Sequence, residues 1–143
     1  MSSATAIPRD TIQAYRETHY RVLGNAPTML IVGEANQPLA ALHKAAGVTC
    51  SAFITACNPF SRQDADVASN VHRQQALAND LAQRGLIFIE GIGELPSNGW
   101  PAEESFLVLG VSLENAKAIG KQFAQNAIVW SGDDAVPQLV LLR

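Results

Sequence analysis

The chain has 143 residues, of which 48% are hydrophobic and 16% charged, and its formal net charge is −3. That size and composition suit one globular domain, 1–143, with a core of its own, and set aside a disordered chain. The ten Lys and Arg residues are scattered rather than gathered into a basic stripe, so no nucleic acid partner is expected. No apolar run approaches the ~18 residues of a membrane span and no signal-like segment opens the chain, so the expectation is a cytoplasmic protein without a membrane partner.

Pro8 suits a first helical turn, and Ile12, Tyr15 and His19 recur at helical spacing, which predicts a short helix over 8–18. Residues 20–23 and 28–32 read as strands that Gly24-Asn25-Ala26-Pro27 joins into a hairpin. Asn36 and Pro38 open a second helix, with Leu39, Leu42 and Ala46 on its apolar stripe and Gly47 as a left-handed stop. A strand over 50–56 follows. Ser61, with Asp64 three residues on, resembles a capping box for a long helix that turns Val67, Val71, Ala78, Leu81 and Ala82 to one side and closes at Gly85. Residues 86–89 read as a buried strand, Asn98-Gly99 as a turn and 106–109 as another apolar strand. Ser112 caps a helix whose Leu113, Ala116, Ile119, Gly120 and Phe123 share a face, and 127–130 and 138–142 are the last strands.

Residues 50–131 therefore read β-α-β-β-α-β, the order of the ferredoxin-like split βαβ motif. The expected fold is α+β: that core, with an N-terminal helix-hairpin-helix and a C-terminal strand extending a mixed sheet. A different mixed sheet with helices on one face is the alternative. Cys50 and Cys57 on one extended strand would stand about 23 Å apart at ~3.3 Å per residue, too far for a local disulfide. Cys50 reads as buried and inert. His19, His43 and His72 have no second ligand near them in sequence, so no metal is expected and each reads as a surface or capping residue.

In the split βαβ arrangement the end of the first strand lies beside the starts of the third and fourth, which brings residues 55–59, 100–105 and 125–126 together. Thr55, Asn58, Ser61, Arg62, Trp100, Gln125 and Asn126 are the candidate ligand-binding residues, Trp100 as a lid. A helix opening near Ser61 would turn its free N–H groups toward an anion. Each feature also has a plain structural explanation, since Asn58-Pro59 initiates turns, Ser61 caps helices and Trp100 covers a loop.

The catalytic candidates are Glu103, Glu104 and Cys57. Glu103 and Glu104 are neighbours on a strand and point to opposite faces, so only one can enter a shared site. A thiol just before a helix N-terminus would be lowered in pKa, although no His has a reason to lie beside Cys57. Gly91-Ile92-Gly93 follows a strand, yet Pro96 replaces the third glycine of a dinucleotide loop and no helix follows, so no cofactor is expected. Residues 104–109 lack the basic and aromatic pattern of an RNA-recognition strand, and Phe53 and Phe106 read as core.

Three functions compete on these residues. The first is a binding domain for a small anionic or nucleotide-like ligand. The second is a hydrolase or transferase using Glu103 or Glu104 as general acid or base, with Asn58 and Asn126 polarising the substrate. The third is an interaction protein, a homodimer joined through the edge of strand 20–23 or 138–142.

Three motifs, Ser51-Ala52-Phe53-Ile54-Thr55-Ala56-Cys57-Asn58-Pro59, Trp100-Pro101-Ala102-Glu103-Glu104-Ser105-Phe106 and Gln125-Asn126-Ala127-Ile128-Val129-Trp130, together resemble the bacterial family of domain of unknown function 3293. The resemblance implies a small bacterial protein of a family with no established activity, cofactor or partner. Its motifs coincide with the three polar segments that the topology groups.

Overall fold

A computed structural model describes residues 5–62, 66–96 and 101–143. The order of elements is α1 Arg9–Glu17, β1 His19–Val22, β2 Thr28–Leu30, α2 Gln37–Ala46, β3 Ser51–Ile54, a 3-10 turn Pro59–Ser61, α3 Val67–Gln83, β4 Ile87–Glu94, β5 Glu103–Leu109, α4 Leu113–Gln122, β6 Ala127–Ser131 and β7 Gln138–Leu141. The strands form one sheet in the order β2-β1-β4-β5-β3-β6-β7. Every pairing is antiparallel, which corrects the mixed sheet expected from the sequence. The reason lies in the two helical crossovers. From β3 through α3 to β4, and from β5 through α4 to β6, each skips one place in the sheet, and a strand of opposite direction fills the gap.

Strand alternation divides the core between the two faces of the sheet. Ala52, Ile54, Phe106, Val108 and Ile128 meet Leu77 and Leu81 of α3 and Ala116 and Ile119 of α4. Phe53, Leu107, Leu109 and Val129 face the other way, where they pack with Tyr20, Val22, Leu30 and Leu39 of α2. Local chemistry sets the ends of these elements. The Asn36 side chain accepts from the Leu39 N–H and Gly47 closes α2 at φ 69°; the Ser112 side chain accepts from the Asn115 N–H at the start of α4.

Several expectations are corrected. The N-cap of α3 is Asp66, whose carboxylate accepts from the Ser69 N–H, and not Ser61. The inward residues of α3 are Gln74, Leu77 and Leu81, while Val67 is 80% exposed. The first half of that face is polar because Arg73 and Gln74 bind backbone groups of the loop after β3. β4 is half covered rather than buried, with Ile87 62% exposed. Cys50 and Cys57 flank β3 instead of lying on it, and Cys50 is only half buried, its Sγ 3.1 Å from the Val111 carbonyl. His43 is not at the surface: it is 4% exposed, and its Nε2 lies 2.8 Å from the Ser51 hydroxyl. The Asn98-Gly99 turn, Asp64 and Trp100 lie outside the described residues. Of the two strands expected at a dimer edge, β1 is flanked by β2 and β4 and is no edge, whereas β7 is one. Among the described residues, no helix is long and apolar enough to cross a membrane.

Gly91 and Gly93 stand in the ladder of β4, not in a loop. A Cβ at Gly91 would lie 2.7 Å from the Phe53 ring and 2.8 Å from the Arg21 carbonyl oxygen, whereas one at Gly93 would meet only the Thr18 methyl at 3.8 Å. Backbone cannot give way as a side chain can. Gly91→Ala is therefore expected to destabilise by about 1–3 kcal/mol through overpacking. Gly93→Ala should be neutral, or stabilise by up to about 0.5–1 kcal/mol, because it removes the cost of glycine in a strand-like chain. Chemical denaturation of the two variants checks the contrast.

Candidate functional site

One end of the sheet lies under α1, and there the side chains do not fill the space between the layers. Ala14, Gly93, Ser105 and Ala127 are all small, and the result is a cavity of about 90 Å³. That volume holds several water molecules. Phe53, Leu95, Val129 and Leu139 give it apolar walls, and Tyr15, Tyr20, Thr55, Ser61, Glu103, Ser105 and Gln125 carry its polar atoms. The Tyr20 ring meets the Phe53 ring edge-on at 5.3 Å, and the Tyr20 hydroxyl donates to the Tyr15 carbonyl at 2.6 Å. Burial pushes the Tyr20 hydroxyl well above the usual phenol range.

Glu103 opens β5 opposite Gly93 of β4. Its Oε2 accepts from the Asn58 Nδ2 at 2.7 Å. Burial pushes the Glu103 carboxyl above its ordinary pKa, against the opposing effect of the Asn58 hydrogen bond. Asn58 has φ 49°, in the left-handed region that asparagine tolerates. Its backbone N–H donates to Asn70 Oδ1 at 2.9 Å, and Asn70 Nδ2 donates back to Asn58 Oδ1 at 3.0 Å. With its oxygen thus occupied, Asn58 turns its NH₂ to Glu103.

A second cluster lies on the α1 side. Tyr15 and Ser61 share a hydrogen bond, and the Asn126 amide donates to both, at 3.1 Å and 3.2 Å. Arg143 donates to Asn126 Oδ1 at 3.2 Å, and its guanidinium lies 4.2 Å from the centre of the Phe60 ring. Burial raises the Tyr15 pKa, with Ser61 and Asn126 pulling the other way. The loop between these clusters holds Phe60 at φ 53° and Ser61 at φ 60°. It is tied to the chain before β6 by the Phe60 N–H on the Ala124 carbonyl at 2.7 Å.

The structure thus brings Thr55, Ser61, Glu103 and Gln125 into one lining, with Asn58 and Asn126 directly behind. Glu104 points away and is exposed, as strand parity requires of one of the pair. Arg62 is exposed and absent from the lining. Cys57 is buried, and burial pushes its thiol up, which is opposite to the lowering expected of a helix N-terminus. The helix concerned begins only at Val67 and is already capped by Asp66, so neither a thiolate nor an anion at Ser61 gains from its dipole. Among the described residues no group of three or more His, Cys, Asp or Glu gathers as a metal site.

Tyr15, Ser105, Asn70 and Arg143 were not singled out from the sequence. Tyr15 alone carried a signal: a tyrosine on an apolar helical stripe needs a partner for its hydroxyl once it is buried.

The fold and site define an α+β protein with a cavity at one end of an antiparallel sheet. The chain belongs to the family described as protein of unknown function (DUF3293), whose model matches residues 54–128. No curated protein and no solved structure matches it.

Glu103 gives a stability prediction. Its folded-state pKa is raised, so above the ordinary carboxylate value the folded state holds a proton that the unfolded state has lost. Stability then falls as pH rises through that window, and the loss persists at neutral pH. Glu103→Gln keeps an acceptor for Asn58 and removes the titration. Its melting temperature should exceed that of the unaltered protein at pH 7, with the difference closing near pH 4.

Proposed function

We propose that the cavity beneath α1 binds a small organic molecule with an apolar body and one polar end. The observation that carries this reading is the combination in one space of aromatic and aliphatic walls with a half-buried carboxylate, Glu103, whose Oε1 takes no hydrogen bond from the described residues. An unfilled space of this kind lowers packing density, and a buried carboxyl costs stability, so neither serves the fold. Strands β3, β4, β5 and β6 supply part of its lining, beside residues of α1, β1 and β7, and with helices α3 and α4 these four strands form what we read as a ferredoxin-like split βαβ unit. The neighbour order β4-β5-β3-β6 supports that reading.

The charge of the lining supports a ligand other than the anionic or nucleotide-like one expected from the sequence. Among the described lining residues Glu103 is the only charged side chain. An anionic or nucleotide-like ligand would face its charge without a lysine or arginine to offset it.

A titration with a chemically broad fragment set, followed by amide shifts, tests the reading. Fragments should move Gly93, Ser105 and Ala127, and Gly93→Val, which extends side-chain volume into the cavity, should weaken them about tenfold or more. A set that moves no residue of this lining removes the proposal.

A second reading is favoured by the raised pKa of Glu103: a hydrolase or transferase in which this carboxyl is the general acid or base. Within that reading the role falls to Glu103 and not to the exposed Glu104. A carbon-detected titration of the Glu103 carboxyl should show a midpoint above the ordinary range. An ordinary midpoint eliminates the enzyme reading and leaves the binding one.

A further inference from the structure

Most of the side-chain protons of the cavity lining are spent on backbone carbonyls. The Thr55 hydroxyl donates to the Glu104 carbonyl at 2.6 Å, and the Ser105 hydroxyl donates to the Glu103 carbonyl at 3.2 Å. Gln125 Nε2 donates to the carbonyls of Cys57 and Phe123, at 3.1 Å and 3.2 Å, which uses both of its protons. Tyr20 spends its proton on the Tyr15 carbonyl; one hydroxyl proton makes the bond between Tyr15 and Ser61, and both of these oxygens accept from the Asn126 amide. What Glu103, Gln125 and Ser105 keep are lone pairs, at Glu103 Oε1, Gln125 Oε1 and the Ser105 hydroxyl, whereas the Thr55 hydroxyl already accepts from the Cys57 N–H at 3.1 Å. Glu103 and Gln125 accept nothing at those oxygens from the described residues.

A lining of acceptors selects a ligand that donates. An alcohol brings one proton and lone pairs of its own, and a carboxylate brings acceptors only. An ammonium group brings up to three donors, no acceptor and a positive charge. We propose that the ligand of this cavity is a small organic cation, an amine on an apolar body, with its ammonium against Glu103 and Gln125 and its body against Phe53, Leu95 and Leu139. This rests on the reading of the cavity as a binding site and names the chemical class that site takes. The Tyr15, Tyr20 and Phe53 rings in the same lining add electron-rich surface that suits a cation. Bringing a positive charge to Glu103 would also undo the penalty that burial imposes on its ionised form.

Three molecules with one body and three heads separate the outcomes: n-butylammonium, 1-butanol and butyrate. Each is titrated into the unaltered protein at neutral pH while the amides of Gly93, Ser105 and Ala127 are followed. The ammonium compound should bind about tenfold or more tightly than the alcohol, and butyrate weakest of all, as expected for a charge-assisted hydrogen bond. In Glu103→Gln the preference for ammonium over alcohol should fall toward unity. If the alcohol or butyrate shifts those amides at equal or lower concentration, the cation proposal is overturned and the cavity reading stands. If none of the three shifts them, both are overturned. The comparison on the unaltered protein decides the matter even if the variant fails to fold.

Discussion

Two hydrogen bonds between Asn58 and Asn70 decide which end of the Asn58 amide faces the cavity. Their effect reaches in both directions along the chain. The bond from the Asn58 N–H satisfies a backbone group in a loop that could not join a sheet ladder, and it does so at a left-handed φ of 49°. The bond to the Asn58 oxygen leaves only the NH₂ to meet Glu103. Reversing the amide would set an oxygen lone pair against a carboxylate and an NH₂ against Asn70 Nδ2. Neither is tolerable in a buried place, so the orientation is a property of the network and not of one residue. Arg73 and Gln74, one turn further along α3, bind Ala56 from the same side. Asn70, Arg73 and Gln74 of α3 are thus devoted to holding a loop, at the expense of apolar contact, and Gln74 keeps an Nε2 without a partner among the described residues.

The cavity follows from the same division of labour. Where the second face of the sheet lies under α2, Leu39 packs against Leu107, Leu109 and Val129. Under α1 the corresponding strand positions hold Gly93, Ser105 and Ala127, and the helix offers Ala14. Gly91, one step along the same face as Gly93, is different, because the Phe53 ring fills the place of its missing side chain. Two glycines in one strand thus have opposite consequences: one lets a ring pack close, and the other leaves room. A carboxyl raised in pKa by burial at the rim of that room is a cost that the rest of the fold must carry.

How far this was legible in the sequence depends on whether the signal was local. The caps Asn36 and Ser112 and the stop at Gly47 were readable because each acts within one turn of its own helix. Strand parity settled that Glu103 and Glu104 could not share a face, and the chain order of helices and strands brought Thr55, Asn58, Glu103 and Gln125 to one end. The cap at Ser61 failed for a physical reason: Asp66, an equally good cap and a stronger acceptor, lies nearer the helix that forms. Val67 and Val71 had the right period for a buried stripe, but period does not say whether a neighbour covers them, and the loop took the positions between. His43 looked like a surface residue because its partner, Ser51, is on a strand eight residues away and pairs with it only across the layers. Tyr15 and Arg143 meet Asn126 through tertiary contacts that no local pattern encodes.

The acceptor character of the lining has its origin in the backbone. Where β5 begins, the carbonyls of Glu103 and Glu104 have hydroxyl partners, from Ser105 and Thr55. In the turns that follow β3 and α4, the carbonyls of Cys57 and Phe123 take the Gln125 amide, and Phe123 also takes Arg73. Each such bond consumes a side-chain proton, because a buried carbonyl cannot be left without a donor. Thr55, Ser105 and Gln125 therefore arrive at the cavity with their donors used. Closing an antiparallel sheet at this end with short polar side chains leaves a surplus of lone pairs on the inside. A carboxylate placed among them at Glu103 adds to the surplus instead of relieving it, and this is the imbalance on which the proposal of a proton-bearing ligand rests.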